Sequence, residues 1–227
     1  MEDDARNLEL LGRLKALCPM RSRKFALGAR QVDFWTAVSL DPLLAVLAEK
    51  PAEDPDVQDE RLPYWAELWP SALGLAEVIS EAETLPAGPW LELGCGPGLP
   101  GIAAGLRGRA GIFSDYMPEA LWLAELNARS AGLPHLETRL LDWRTPPPAL
   151  RVPWILAADV AYEVRNFSPL LGCFETLLCP GGEIWFSEPG RRVAEGFFAE
   201  MSAAGWQREV LGTAGSVTVS RFRRQAD

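Results

Sequence analysis

The sequence predicts an α/β fold: a doubly wound, mainly parallel seven-stranded sheet closed by a C-terminal antiparallel hairpin. Three observations predict it. From residue 89 onward, β-rich runs alternate with runs of helical periodicity, which implies parallel strands with helices on both faces. Turns containing glycine or proline separate most of these runs. The last two runs, 206–212 and 216–223, have no helix between them, and Gly212 and Gly215 mark a tight connection, so this pair is antiparallel.

Taken in order, Leu8, Leu11, Leu14 and Leu17 recur at helical spacing with Glu9, Arg13 and Lys15 between them. This is an amphipathic helix suited to packing or self-association. The cluster Arg21-Ser22-Arg23-Lys24 reads as a solvated linker, and Asp33 and Trp35 as packing residues, with the substrate mouth as the alternative place for them. A helix is expected over 41–50, with Pro42 in its first turn. The acidic, proline-containing 51–60 is a loop, and it divides a helical N-terminal extension (1–60) from the main domain (61–227). Ser71 is expected to cap a helix carrying Leu73, Leu75, Val78 and Ile79. Strands follow at 89–94, 110–115, 136–141, 152–159 and 182–188, with helices at 99–107, 118–131, 166–179 and 192–204.

Composition narrows the chemistry. The net charge is −9, from 22 basic and 31 acidic residues. That excludes a general nucleic-acid or anionic-membrane binder, which needs excess Lys and Arg. The four cysteines form no CxxC pair, so a reduced, cytoplasmic protein is expected. His135 is the single histidine. It follows Pro134 and is expected on a surface loop, which leaves no Ser-His-Asp device and no histidine-rich metal site. No apolar run approaches membrane-spanning length, and the start MEDDARNLEL is acidic where a signal peptide would be basic.

The chemistry concentrates where Trp90–Leu93 runs into Gly94-Cys95-Gly96-Pro97-Gly98. Glycines there permit positive φ and let a ligand approach the backbone at the carboxyl end of a strand. Gly96 to Gly101 also satisfies GxGxxG, so a nicotinamide or flavin cofactor competes with an adenosyl cofactor. Asp115, at the end of the second strand, can accept from both ribose hydroxyls of either. Glu92 suits a cationic tail and would repel a pyrophosphate, while Pro97 and Pro100 remove N–H donors that a pyrophosphate needs. Asp142 can accept from an adenine amino group while Trp143 packs on the ring. Asp159 and Tyr162 put a carboxylate and a phenol beside the loop.

Together, LELGCGPGLPGI, FSDYMPEAL followed by Asn127, LLDW and ADVAYE resemble the motifs of seven-stranded class I S-adenosylmethionine-dependent methyltransferases. More narrowly they resemble the branch that methylates lysines of non-histone proteins. PYWAELWPSA and SEPGR are similar to the members acting on the electron-transfer-flavoprotein β subunit, except that Glu188 stands where those tend to carry aspartate. The resemblance covers about residues 62–190 and implies a Rossmann-like methyltransferase fold with S-adenosyl-L-methionine as cofactor. It implies Trp69, Gly94, Cys95, Gly96, Asp115, Trp143 and Ala158 as cofactor contacts. Glu92, Gly98, Tyr116 and Asp142 join them as candidates from the same motifs. Asp159 and Tyr162 match the signature beside the substrate opening. The expected acceptor is a protein lysine, or else a small-molecule amine, with Asp159 capturing and orienting the ammonium and Tyr162 forming an apolar wall. No metal, nucleic acid or membrane enters this reading. An NAD-binding oxidoreductase and a non-catalytic binding module are the rival classes. Against the first, the residue four after Tyr162 is Asn166, where a common hydride-transfer dyad has lysine.

Overall fold

The computed structural model describes residues 2–224. Met1 and 225–227, which end the two expected spans, lie outside the described residues. The chain begins with α1 (Glu2–Leu17), a hairpin of β1 (Met20–Leu27) and β2 (Arg30–Ala37), α2 (Asp41–Ala48) and the single turn α3 (Pro55–Gln58). A 3-10 turn at Tyr64–Ala66 precedes α4 (Pro70–Glu81). Then come β3 (Trp90–Leu93), α5 (Leu99–Leu106), β4 (Gly111–Asp115), α6 (Pro118–Ser130), β5 (Glu137–Leu140) and β6 (Val152–Ala158). The chain continues through a 3-10 turn at Val164–Asn166, α7 (Phe167–Leu177), β7 (Leu178–Glu188), α8 (Arg192–Ala203), β8 (Trp206–Ala214) and β9 (Val217–Arg224).

The main sheet has the order β5-β4-β3-β6-β7-β9-β8. β3 to β7 pair in parallel, while β9 runs antiparallel to both β7 and β8, as the missing helix requires. Side chains alternate across the pleat. Trp90 joins Leu75, Ile79, Ile102, Phe113 and Trp154 in one core, and Leu91 and Leu93 join Ile155, Phe174 and Phe197 in the other. The order reverses between β3 and β6, so the crevice at the carboxyl ends of β3, β4 and β6 is where such sheets bind ligands.

The N-terminal segment departs from expectation. Residues 21–24 form the exposed strand β1, not a linker, so the segment is not wholly helical. Its hairpin turns through Gly28, whose φ is +57°, a value a two-residue connection favours. Leu10 and Leu14 of α1 share a buried cluster with Trp65, Leu123 and Leu126, which fastens this segment onto the outer face of α6. Residues 51–60 hold one helical turn capped by Asp54, which accepts from Asp56 N at 2.9 Å. Trp69 occupies the N-cap position of α4 without a side-chain cap hydrogen bond, and Pro70 stands in the first turn; Ser71 sits inside the helix, buried, and its hydroxyl caps nothing. β7 starts at Leu178, earlier than expected, through a bulge opposite Val152–Trp154. Among the described residues, no helix is long and apolar enough to cross a membrane.

Candidate cofactor and active site

The β3–α5 connection is shaped by left-handed backbone, with φ of +64° at Gly94, +47° at Gly96 and +80° at Gly98. Side chains rarely adopt such values. A Cβ on Gly94 would meet Val160 Cγ1 at 3.3 Å and Trp143 Cζ3 at 3.4 Å, narrowing the space in front of the loop. Gly98 serves a different purpose. Its Cβ would strike Phe113 at 2.9 Å, so this residue packs the start of α5 on the sheet.

Two buried carboxylates hold the loop. Glu92 Oε2 accepts from Gly101 N at 2.8 Å, tying β3 to the first turn of α5. Asp115 accepts from Gly96 N at 3.1 Å and from Met117 N at 2.9 Å. Burial raises the Asp115 carboxyl to about 6 against the backbone hydrogen bonds that lower it. Burial also pushes Glu92 and the Cys95 thiol well up, with Asp115 adding to both. Cys95 is therefore an inert thiol whose amide donates to Ser114 O at 2.9 Å.

A cavity of about 380 Å³ opens in front of this loop, within the range of small-ligand sites. It brings together Trp69, Glu92, Gly94, Cys95, Gly96, Asp115, Tyr116, Trp143, Ala158, Asp159 and Tyr162. Gly98 and Asp142 do not line it. Asp142 is instead gripped by Arg144, at 3.0 and 2.8 Å from Nε and 2.6 Å from Nη2. Burial opposes ionisation there, but the Arg144 hydrogen bonds outweigh it and hold the carboxyl below its ordinary value. The same Arg144 engages Asp59 on the 51–60 loop at 3.1 Å, and Asp142 borders the adjoining cleft that Tyr116 and Trp143 also line.

The cavity fits an adenosine bearing a cationic tail. Each carboxylate oxygen of Asp115 accepts more than one hydrogen bond, so capacity remains for ribose hydroxyls. Tyr116 and Trp143, 6.3 Å apart, supply flat apolar walls. Buried acids beneath the loop suit a positive charge and oppose a pyrophosphate.

At the open end stands an aromatic collar. Tyr64 meets Trp69 and Tyr162 edge-on, with ring centroids 5.5 and 6.0 Å away. Trp69 Nε1 donates to Tyr64 O at 3.0 Å and locks this arrangement. Burial raises the Tyr162 phenol well above its ordinary value, so it stays protonated. Asp159 has a φ of +55°, the left-handed region that disfavours a non-glycine residue. Both of its oxygens are taken bidentately by Arg191, each at 2.8 Å.

Sequence reasoning missed Arg191, Tyr64 and Glu67, all of which line the cavity. Arg191 stands inside the quoted SEPGR segment, and Tyr64 and Glu67 inside PYWAELW, which was the only available signal. Glu188 folds back on the turn that leads into α8, accepting from Gly190 N at 2.6 Å and Arg191 N at 3.0 Å.

Comparison with known proteins agrees with this geometry. The lysine methyltransferase family profile matches residues 60–204. Human "Histone-arginine methyltransferase METTL23" is 31% identical over 131 residues, covering 52% of this chain and 67% of that protein. The mouse form is 29% identical over 134 residues, 54% of this chain and 51% of its own. Mouse "EEF1A lysine methyltransferase 3" is 28% identical over 170 residues, 72% of this chain and 73% of that one. The matched part therefore spans between half and two thirds of the histone-arginine enzymes. Among solved structures, the T. thermophilus 16S rRNA methyltransferase in complex with AdoMet and guanosine superposes with a TM-score of 0.61 at 13% identity, covering 91% of this chain and 51% of that one. The N-methyltransferase NodS from Bradyrhizobium japonicum in complex with S-adenosyl-L-homocysteine gives 0.54 at 16%, covering 82% and 98%. The solved structures share the seven-stranded fold, and the family match covers both the cofactor loop and the collar: the chain belongs to the lysine methyltransferase family and is an S-adenosyl-L-methionine-dependent methyltransferase.

Proposed function

We propose that this enzyme N-methylates a lysine side chain of a protein, with the cofactor seated against Gly94–Gly96, Asp115, Tyr116 and Trp143. The observation that carries the reading is the collar of Tyr64, Trp69 and Tyr162 around the open end of the cavity. Such a ring admits a slender aliphatic stem and packs along its methylenes. A bulky acceptor would displace it.

When bound, S-adenosyl-L-methionine supplies an electrophilic methyl group on a sulfonium. The chain must then place a neutral amine roughly 3–3.5 Å from that carbon and in line with the breaking bond. Free lysine has a pKa near ~10.4, so its proton has to leave to water first. Burial among the collar aromatics disfavours the ammonium, and the nearby Arg191 guanidinium does so again. Asp159 is not the base in this scheme. It holds Arg191, and its left-handed backbone carries the chain out of β6 toward Tyr162. The phenol oxygen of Tyr162 accepts from an N–H of the amine and so aims the lone pair along the channel.

A second reading, an arginine acceptor, is favoured by the relatives named as histone-arginine methyltransferases. Isotope-labelled methyl transfer into a lysate from cells lacking the protein, followed by mass spectrometry, separates the two. Labelled ε-N-methyllysine supports the proposal and labelled ω-N-methylarginine the alternative. Label confined to small molecules refutes both.

A further inference from the structure

Asn127 lies fully buried on α6, and its amide joins two segments far apart in sequence. Oδ1 accepts from Trp35 N at 2.6 Å, and Nδ2 donates to Trp35 O at 3.1 Å. The same Nδ2 donates to Pro97 O at 3.0 Å, inside the glycine loop. The amide thus stands in for a neighbouring strand at the free edge of β2 while it fixes one peptide of the loop. Packing alone would be served as well by leucine, so satisfying these three backbone groups is the residue's distinguishing contribution.

The loop needs such an anchor. Gly94, Gly96 and Gly98 give it a freedom that ordinary residues would not have. One restraint on it comes from Asp115 through Gly96 N, another from the backbone of Trp65, which would lie 3.4 Å from a Cβ on Gly96. Pro97 has no N–H of its own, so its carbonyl is the point at which a side chain can hold this residue by a hydrogen bond. Asn127 takes that point and at the same time grips the hairpin.

We infer that Asn127 is a positioning residue coupling the β1–β2 hairpin to the cofactor loop, so that hairpin docking and cofactor binding strengthen one another. This rests on the reading that Gly94–Gly96 holds the cofactor. The coupling is reciprocal: whatever factor the docked hairpin adds to cofactor affinity, the cofactor adds to hairpin docking. Removing a buried amide that serves three backbone groups should weaken the binding of S-adenosylhomocysteine about tenfold.

The test is hydrogen exchange of the full chain with and without S-adenosylhomocysteine, with calorimetric titration of the wild type, Asn127→Ala and Asn127→Asp. In the wild type, ligand should slow exchange in the loop 94–98 and also in β2 over 32–37. In Asn127→Ala the loop should still respond at saturating ligand, but the hairpin response should disappear and the Kd rise about tenfold. Asn127→Asp, whose carboxylate faces two carbonyl oxygens, should lose at least as much. A purely structural role would lower the unfolding midpoint and leave the Kd and the hairpin response unchanged; that result overturns the inference. Protection of the loop without the hairpin in the wild type also overturns it while leaving the cofactor reading intact. Protection of neither overturns both. The wild-type comparison decides even if both variants fail to fold.

Discussion

Replacing Asp115 with asparagine should separate stability from function. The side chain is buried, and burial lifts its carboxyl from an ordinary 3.8 to about 6. That rise is equivalent to about 3 kcal/mol spent keeping the charge at neutral pH. Asparagine removes the charge and keeps the shape. It also leaves only one acceptor oxygen for Gly96 N and Met117 N, which now occupy different oxygens. One buried donor then faces an NH₂ group, a loss of about 1–3 kcal/mol. The two effects oppose each other, so the unliganded variant should match the wild type within about 1 kcal/mol in urea unfolding at pH 7.5. Ligand affinity has no such offset. Losing charge-assisted bonds to two ribose hydroxyls, at about 1.5–3 kcal/mol each, should weaken S-adenosylhomocysteine at least 100-fold by calorimetry. A variant that unfolds several kcal/mol more easily yet binds within about threefold of wild type would show Asp115 to be a loop brace only.

The same carboxyl gives a pH signature. Because its folded value is raised, the folded state holds more protons than the unfolded chain between 3.8 and about 6, so its destabilising contribution is complete above that window and relieved as pH falls through it. Ribose hydroxyls favour the charged form, so S-adenosylhomocysteine affinity should fall as pH drops below about 6, with proton release on binding visible in buffers of different ionisation enthalpy. Gly101→Ala would put a Cβ 2.5 Å from Phe113 Cε1 and 2.6 Å from Trp90 Cη2, both on buried rings. It should cost about 3 kcal/mol in urea unfolding, and a loss below about 0.5 kcal/mol would refute the tight packing. Arg191→Met removes a guanidinium and frees the Asp159 carboxylate beside the acceptor channel. The pH profile of kcat/KM should move to the alkaline side with the Kd of S-adenosylhomocysteine little changed; an unmoved profile would refute the part given to Arg191.

Legibility followed the range of the forces involved. The main sheet could be read because each strand and helix carries its own periodicity, and alternation fixes parallel pairing. The β1–β2 hairpin could not, because Arg21, Ser22, Arg23 and Lys24 are all exposed and so show no period of two. Its one local signal was Gly28 followed by Ala29 between β-rich runs. The glycine loop and Asp115 were legible for the reason that strand ends in such sheets converge on one crevice. The same logic does not say which residues of a motif line the cavity, and Gly98 and Asp142 do not. Asp142 turns to Arg144 two residues on, a pairing that depends on the bend between them. The Asp159–Arg191 pair, 32 residues apart, exists only because β6 and β7 lie side by side.

What unites the site is that several of its parts are unfavourable by themselves. Glu92 and Asp115 are buried acids; Asp115 raises the proton affinity of Glu92, and both raise that of Cys95. Asp159 is held in a backbone conformation that side chains avoid, and the loop depends on three glycines of positive φ. Folding alone gains nothing from these charges and would be better served by an extended residue and by a shorter turn. Features of this kind persist when a ligand recovers the cost, and they cluster where one binds. Here all but Gly98 line one cavity, with acids beneath the loop at one end and the Arg191 guanidinium at the other. A ligand that places hydroxyls and a cation against the acids, and an acceptor that must shed a proton beside the guanidinium, would relieve both ends of that arrangement together.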